Sequence, residues 1–227
     1  MARISTDTLV RALRSNQNIH VTNLSRYFTD DFSGSHFERF ADGGDAAKVR
    51  NLIAAEDLLA VTCLSVNFPA HAMLNLIEGE VGEKVADQLS RIPVGEDLHN
   101  FASNPIAEGS PAWNAWALVD GLDDVGRTLT SKLLARKRPQ LLPVLDDVVT
   151  CALRLGNDKN WQSIYELVTE ESGEVVEELN VIRDLAAEEE STIRELSTLR
   201  VLDVVVWMEH RPDHYPPKKH KNSLIFT

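Results

Sequence analysis

The run Leu199-Arg200-Val201-Leu202-Asp203-Val204-Val205-Val206-Trp207-Met208 constrains the fold more than any other part of the chain. Coiled as a helix it is apolar on nearly every side, and only a helix enclosed by other elements can bury such a surface. The run is interrupted by charge and is too short for a bilayer, which takes roughly 20 apolar residues. It predicts a central helix over 192–210, with Arg200 and Asp203 one turn apart and able to pair. Around it the sequence reads as mainly α: a single-domain multi-helix bundle over 1–211, followed by an extended C-terminal tail over 212–227.

Most other segments carry helix punctuation. Leu9, Val10 and Leu13 give 5–14 one apolar face behind a Ser5 or Thr6 cap. Ser110-Pro111 places a cap before a first-turn proline and opens a helix that carries Trp113 and Trp116. Further helices are predicted at 56–66, 70–77, 85–92, 129–137, 143–155, 161–171 and 174–187. The β-branched and aromatic stretch 19–28 predicts one short strand or extended segment, at most a small N-terminal β element. No repeat and no Gly/Ser/Pro-rich linker divides the chain.

Charge is unevenly spread. The whole chain carries −12, with 35 acids against 23 bases, which disfavours binding nucleic acid or anionic membrane through the general surface. From Lys159 to Glu195 there are eleven acids against three bases. From Val125 to Leu145 there are five bases (Arg127, Lys132, Arg136, Lys137, Arg138) and no acid. Such a segment suits contact with phosphate, or equally a solvated helix C-terminus favoured by the helix dipole. Either way its cations are expected in water.

The chemistry-bearing candidates follow from that segment. Asp146 and Asp147 open the next helix, where a carboxylate is stabilised by the N-terminus and stays accessible, or acts only as a cap. Trp113 and Trp116, three apart, suit packing, or a wedge or stacking surface for an extruded base. His210 and His214 flank Pro212, which interrupts the helix that would aim both rings at a metal, so no metal is expected there. The polar loop 29–36 is a secondary candidate. No phosphate loop, nucleophile elbow or dinucleotide fingerprint is present, and no cofactor is expected. Cys63 and Cys151 lie in apolar stretches and read as buried thiols, and with no secretory signal the expected location is the cytoplasm.

Leu133-Leu134-Ala135-Arg136-Lys137-Arg138-Pro139, then Leu142-Pro143-Val144-Leu145-Asp146, and the terminal Leu199–Met208 run look like an uncharacterised actinobacterial family of unknown function. That likeness extends from about Tyr27 to Met208 and implies a shared fold with no established activity. A second resemblance is to helix-hairpin-helix DNA glycosylases, whose hairpin reads Leu-Pro-Gly-Val-Gly. Leu122, Val125 and Gly126 match it, and the interval from Gly126 to Asp146 or Asp147 is similar to the family's interval to its catalytic aspartate. The resemblance implies a DNA partner met by Gly126, Lys132, Arg136, Lys137 and Arg138. It also implies an ionised Asp146 or Asp147 that stabilises the cationic sugar as the base departs. Asp123 and Asp124 depart from the hairpin's Pro and Gly, and would repel a phosphate there. Thr128 stands where bifunctional members carry a Schiff-base lysine, so the implied enzyme is a monofunctional hydrolase. The alternative is a non-enzymatic acidic module that meets a basic protein partner.

Overall fold

A computed structural model describes residues 3–29, 32–156, 160–170 and 172–214. Among these residues there are eleven α-helices and no strand. In chain order the helices are α1 (Thr6–Ser15), α2 (Gln17–Thr29), α3 (Ala55–Thr62), α4 (Ala70–Ile77), α5 (Glu80–Ser90) and α6 (Pro111–Asp120). They continue with α7 (Arg127–Lys137), α8 (Asp147–Ala152), α9 (Asn160–Val168), α10 (Glu174–Ala186) and α11 (Thr198–His214). The chain forms two compact units: residues 1–32, 98–100 and 146–227 make one, and 33–97 with 101–145 make the other. The second unit is thus inserted into the chain of the first.

The first unit is built around α11. Leu199, Val201, Leu202, Val204, Val205 and Val206 are all buried, and α2, α8 and α10 pack against the helix. Arg200 and Asp203 make the ion pair expected from their spacing, and the Arg200 guanidinium also donates to the Tyr27 hydroxyl at 3.1 Å. This arrangement lets an apolar helix carry two charges inside, since a buried charge is tolerated only when paired and hydrogen-bonded. Tyr27 stacks on Phe32, and both rings meet the edge or face of Trp207.

Four features differ from the sequence reading. Residues 19–28 lie within helix α2, because packing of His20, Leu24 and Tyr27 against the bundle outweighs the modest strand preference of Ile19, Val21 and Thr22. The terminal helix starts at Thr198, after a 3-10 turn at Ser191–Glu195. Its backbone continues past Pro212 to His214, where an extended tail was expected. Residues 215–227 of that tail, and Asp30 and Asp31 of the polar loop, lie outside the described residues. The helix expected over 143–155 is confined to α8, since Pro143 and the residues after it run extended up to the Asp146 cap.

The second unit packs α3, α4, α5 and α6 in succession, with α7 against both α3 and α6. Neither Cys63 nor Cys151 is in a disulfide, and both are partly exposed, where full burial was expected. Partial burial still raises the pKa of both thiols and keeps them protonated and unreactive. No helix among the described residues is long and apolar enough to cross a membrane.

If α11 is the interior of its unit, Val205→Asp removes a core side chain and buries an unpaired carboxylate. The expected loss is about 3 kcal/mol or more, read as a lowered urea midpoint; an unchanged midpoint refutes the central placement. A second expectation concerns the end of α11, where Glu209 Oε2 lies 3.2 Å from Nδ1 of the buried His20. Burial raises the Glu209 carboxyl to about 7 and lowers the His20 imidazole. An unfolded glutamate releases its proton near 4.5, so rising pH costs stability until about 7, while the histidine gives the opposite slope below 6.5. The glutamate's loss therefore runs from about 4.5 to about 7, offset in part by the histidine just below 6.5, and Glu209→Gln should flatten denaturation midpoints compared at pH 6 and pH 8.

Candidate functional site

The basic segment that the sequence singles out forms α7, and it lies in the interior. Every residue from Thr130 to Lys137 is buried. Lys132 is 4% exposed, Arg136 3%, Lys137 0% and Arg138, just past the helix, 1%. Both solvated readings are thereby corrected for Lys132, Arg136, Lys137 and Arg138; Arg127, in the first turn of the helix, is the one base of the segment that stays exposed.

The reason lies in the backbone around them. Residues 33–54 contain only two short 3-10 turns and no α-helix, so many of their carbonyls have no helical partner. Buried carbonyls require donors, and the arginines and lysines, which carry donors and no acceptors, supply them. The Arg136 guanidinium donates to the carbonyls of Phe37 (2.6 Å), Glu38 and Phe40. Lys137 Nζ donates to the Val49 carbonyl at 2.9 Å. Arg138 donates to the carbonyl of Arg50 and to Asn51 Oδ1 at 2.6 and 2.8 Å. It also reaches the carbonyls of Leu89 and Ile92 at the C-terminal end of α5. Lys132 Nζ donates to the Leu64 carbonyl, two residues past α3, at 2.9 Å. These last two sites are helix C-termini, where unsatisfied carbonyls and the dipole favour a cation.

One carboxylate joins this set. Asp57 Oδ2 accepts from Lys137 Nζ at 2.9 Å and from the Ala54 amide at 2.9 Å, while Oδ1 lies 3.4 Å from Arg136 Nε. Desolvation lowers Arg136 and Lys137 from their ordinary values, with Asp57 opposing the shift, and brings Arg138 down to about 10. Gly44 completes the contact because a Cβ there would stand 2.5 Å from the Arg136 carbonyl and 2.8 Å from Asp57 Oδ1. Ser131 ties down the connection that follows the helix, donating to the Pro143 carbonyl at 2.8 Å and accepting from the Leu145 amide at 2.7 Å.

The other candidates occupy different places. The hairpin Leu122–Gly126 joins α6 to α7, with Val125 buried and Asp123, Asp124 and Gly126 exposed. Asp124 adopts φ 58°, the left-handed conformation that a glycine takes without penalty. Gly126 is the N-cap of α7 and offers no side-chain cap, and a Cβ added there would meet nothing within 4 Å. Trp113 and Trp116 are both half-buried on α6 in this same unit. Asp146 and Asp147 belong to the other unit. Asp146 is the half-buried cap of α8 and accepts from the Val149 amide at 3.0 Å, while Asp147 in the first turn is exposed. In the polar loop, Ser33 Oγ donates to the Cys63 carbonyl at 2.7 Å. No group of three or more His, Cys, Asp or Glu among the described residues is placed to hold a metal.

Sequence reasoning passed over Asp57, Gly44 and the carbonyls of 37–50. They lie about 80 to 100 residues from α7 in sequence, and no local pattern links them. The available signal was the sequence context of the cations, which alternate with Leu133, Leu134 and Ala135 and leave no polar face to the helix.

A model of a family of unknown function (DUF6308) matches residues 20–210. The chain belongs to this family. Membership covers α2 through most of α11, so both units are family features. No curated protein and no solved structure matches the chain. Because the family has no assigned function, the chemistry of its members must be argued from the residues.

Asp57→Ala should strand two buried cations at once and cost roughly 3–5 kcal/mol, whereas Asp124→Ala on the exposed hairpin should cost well under half of that. Arg136→Glu with Lys137→Glu, harmless on a solvated surface, should leave no cooperative unfolding transition. Wild-type stability in that double variant would return α7 to the surface.

Proposed function

We propose that this chain is a non-enzymatic, acidic protein-interaction module, cytoplasmic in location, whose partner presents a basic segment. The observation that supports this reading is the burial of the α7 cations. Among the described residues, Lys132, Arg136, Lys137, Arg138 and Arg200 are inside, against Asp57 and Asp203 and the buried carboxylate oxygens of Glu38 and Glu209, so the remaining surface is at least as acidic as the total of −12 implies. Exposed acids line α10 and its surroundings, including Glu166, Glu177, Asp184, Glu188, Glu189 and Glu195. A field of one sign steers an oppositely charged partner and repels polyanions.

A second reading, a monofunctional DNA glycosylase of the helix-hairpin-helix type, keeps one specific support. The α6–hairpin–α7 connection has a left-handed residue at Asp124 and an open, uncapped N-terminus at Gly126, and backbone amides at a helix start are suited to phosphate. On this reading Asp146 or Asp147 is the electrostatic catalyst, and Trp113 or Trp116 contacts the displaced base. The hairpin carboxylates Asp123 and Asp124, together with the burial of the basic helix, weigh against it.

The two readings separate in a titration by fluorescence anisotropy at about 50 mM salt, where electrostatic binding is strongest. A lysine-rich amphipathic peptide should bind, weaken as salt rises, and weaken at least tenfold with Asp184→Lys and Glu188→Lys together. Duplex DNA should not bind. DNA binding with no effect of the α10 substitutions, or base release abolished by Asp146→Asn or Asp147→Asn, favours the glycosylase reading and removes the first.

A further inference from the structure

The outer face of α10 has a composition unlike the other acidic surfaces. Val181 and Leu185, one turn apart, are 43% and 39% exposed, and the exposed Glu177, Asp184 and Glu188 surround them. Two adjacent apolar side chains in an acidic rim suit a segment that carries cations followed by apolar anchors. The chain contains such a segment: within 215–227, Lys218, Lys219 and Lys221 precede Leu224-Ile225-Phe226, with no acid among them.

Geometry within the unit makes the contact reachable. Near the end of α11, Glu209 Oε1 accepts from Asn16 Nδ2 at 3.4 Å, and Oε2 lies 3.2 Å from His20 Nδ1. Arg14, two residues before Asn16, pairs with Glu174 and Glu178 at 2.8 and 2.6 Å. The last turns of α11 therefore lie beside the first turns of α10. Thirteen residues follow His214, a reach of roughly 40 Å at about 3.3 Å per residue. Leu185 stands only about 16 Å along α10 from Glu174 at about 1.5 Å per residue. Followed in that direction, α10 offers Glu177 first and the apolar pair next, the same order in which the segment offers lysines and then Leu-Ile-Phe.

We propose that the α10 face is a docking surface for the chain's own C-terminal segment, with Lys218, Lys219 and Lys221 on the acidic rim and Leu224–Phe226 on Val181 and Leu185. The proposal rests on reading α10 as an interaction face and adds that the segment competes there with a basic partner.

The test uses the full chain, with backbone amide NMR relaxation of residues 218–226. Docking gives these amides the order of α10 itself. Val181→Lys with Leu185→Lys should abolish that order while the circular dichroism spectrum stays unchanged, as should Lys218→Glu, Lys219→Glu and Lys221→Glu together. The triple variant should also bind the lysine-rich peptide several-fold more tightly, because the competitor is gone. Relaxation of 218–226 that is the same in wild type and both variants overturns the docking, even if the peptide still binds α10. If the peptide fails to bind the triple variant as well, the interaction reading itself has failed. Order that appears only with concentration-dependent dimerisation assigns the segment to a second copy and overturns docking within one chain.

Discussion

Irregular backbone in an interior must find hydrogen-bond donors, and in this protein α7 provides them. Arg136, Lys137 and Arg138 gather the carbonyls of residues 37–50, and Lys132 and Arg138 take those at the ends of α3 and α5. A stranded carbonyl costs more than a typical hydrogen bond contributes. Residues 33–54 can therefore hold a fixed shape without regular structure only while these side chains remain in place. Asp57 is the carboxylate that pairs with these cations, and it offsets part of the charge while fixing where two of them sit.

The two units solve the same packing problem with opposite chemistry. In one, α11 is apolar all round and its enclosure follows from the hydrophobic effect, with the Arg200–Asp203–Tyr27 cluster as its polar exception. In the other, α7 is buried from Thr130 to Lys137 although five of those eight positions are polar or charged. Burial of α11 is tolerant, because apolar contacts are non-directional. Burial of α7 is directional: each of its long cations donates to particular acceptors, and Gly44 must be glycine for the backbones to approach. That difference makes the second unit the more sensitive to substitution of single polar atoms.

Inward placement of these cations also decides what faces water. A basic run on the surface would have been a local exception to an acidic protein. With most of the run buried, four of its five cations contribute no basic patch to the surface of their unit, and the exposed acids of both units stand without that compensation. In the hairpin before α7, Asp123, Asp124 and Gly126 stay exposed, and Asp124 holds a left-handed conformation.

The sequence by itself determined the helical class, the interior position of α11, the Arg200–Asp203 pair, and the caps at Ser5, Ser110 and Asp146. These follow from spacing within a few residues, where side-chain direction is set by the helix period. It also contained the basic run and the two carboxylates after it. Tertiary structure alone decided which way the run faces. Lysine and arginine read as surface residues by default because burial is costly unless partners are supplied. Here those partners are carbonyls and an aspartate about 80 to 100 residues distant, brought close only by folding. The same holds for 19–28, where packing made a helix of residues whose local preference is extended.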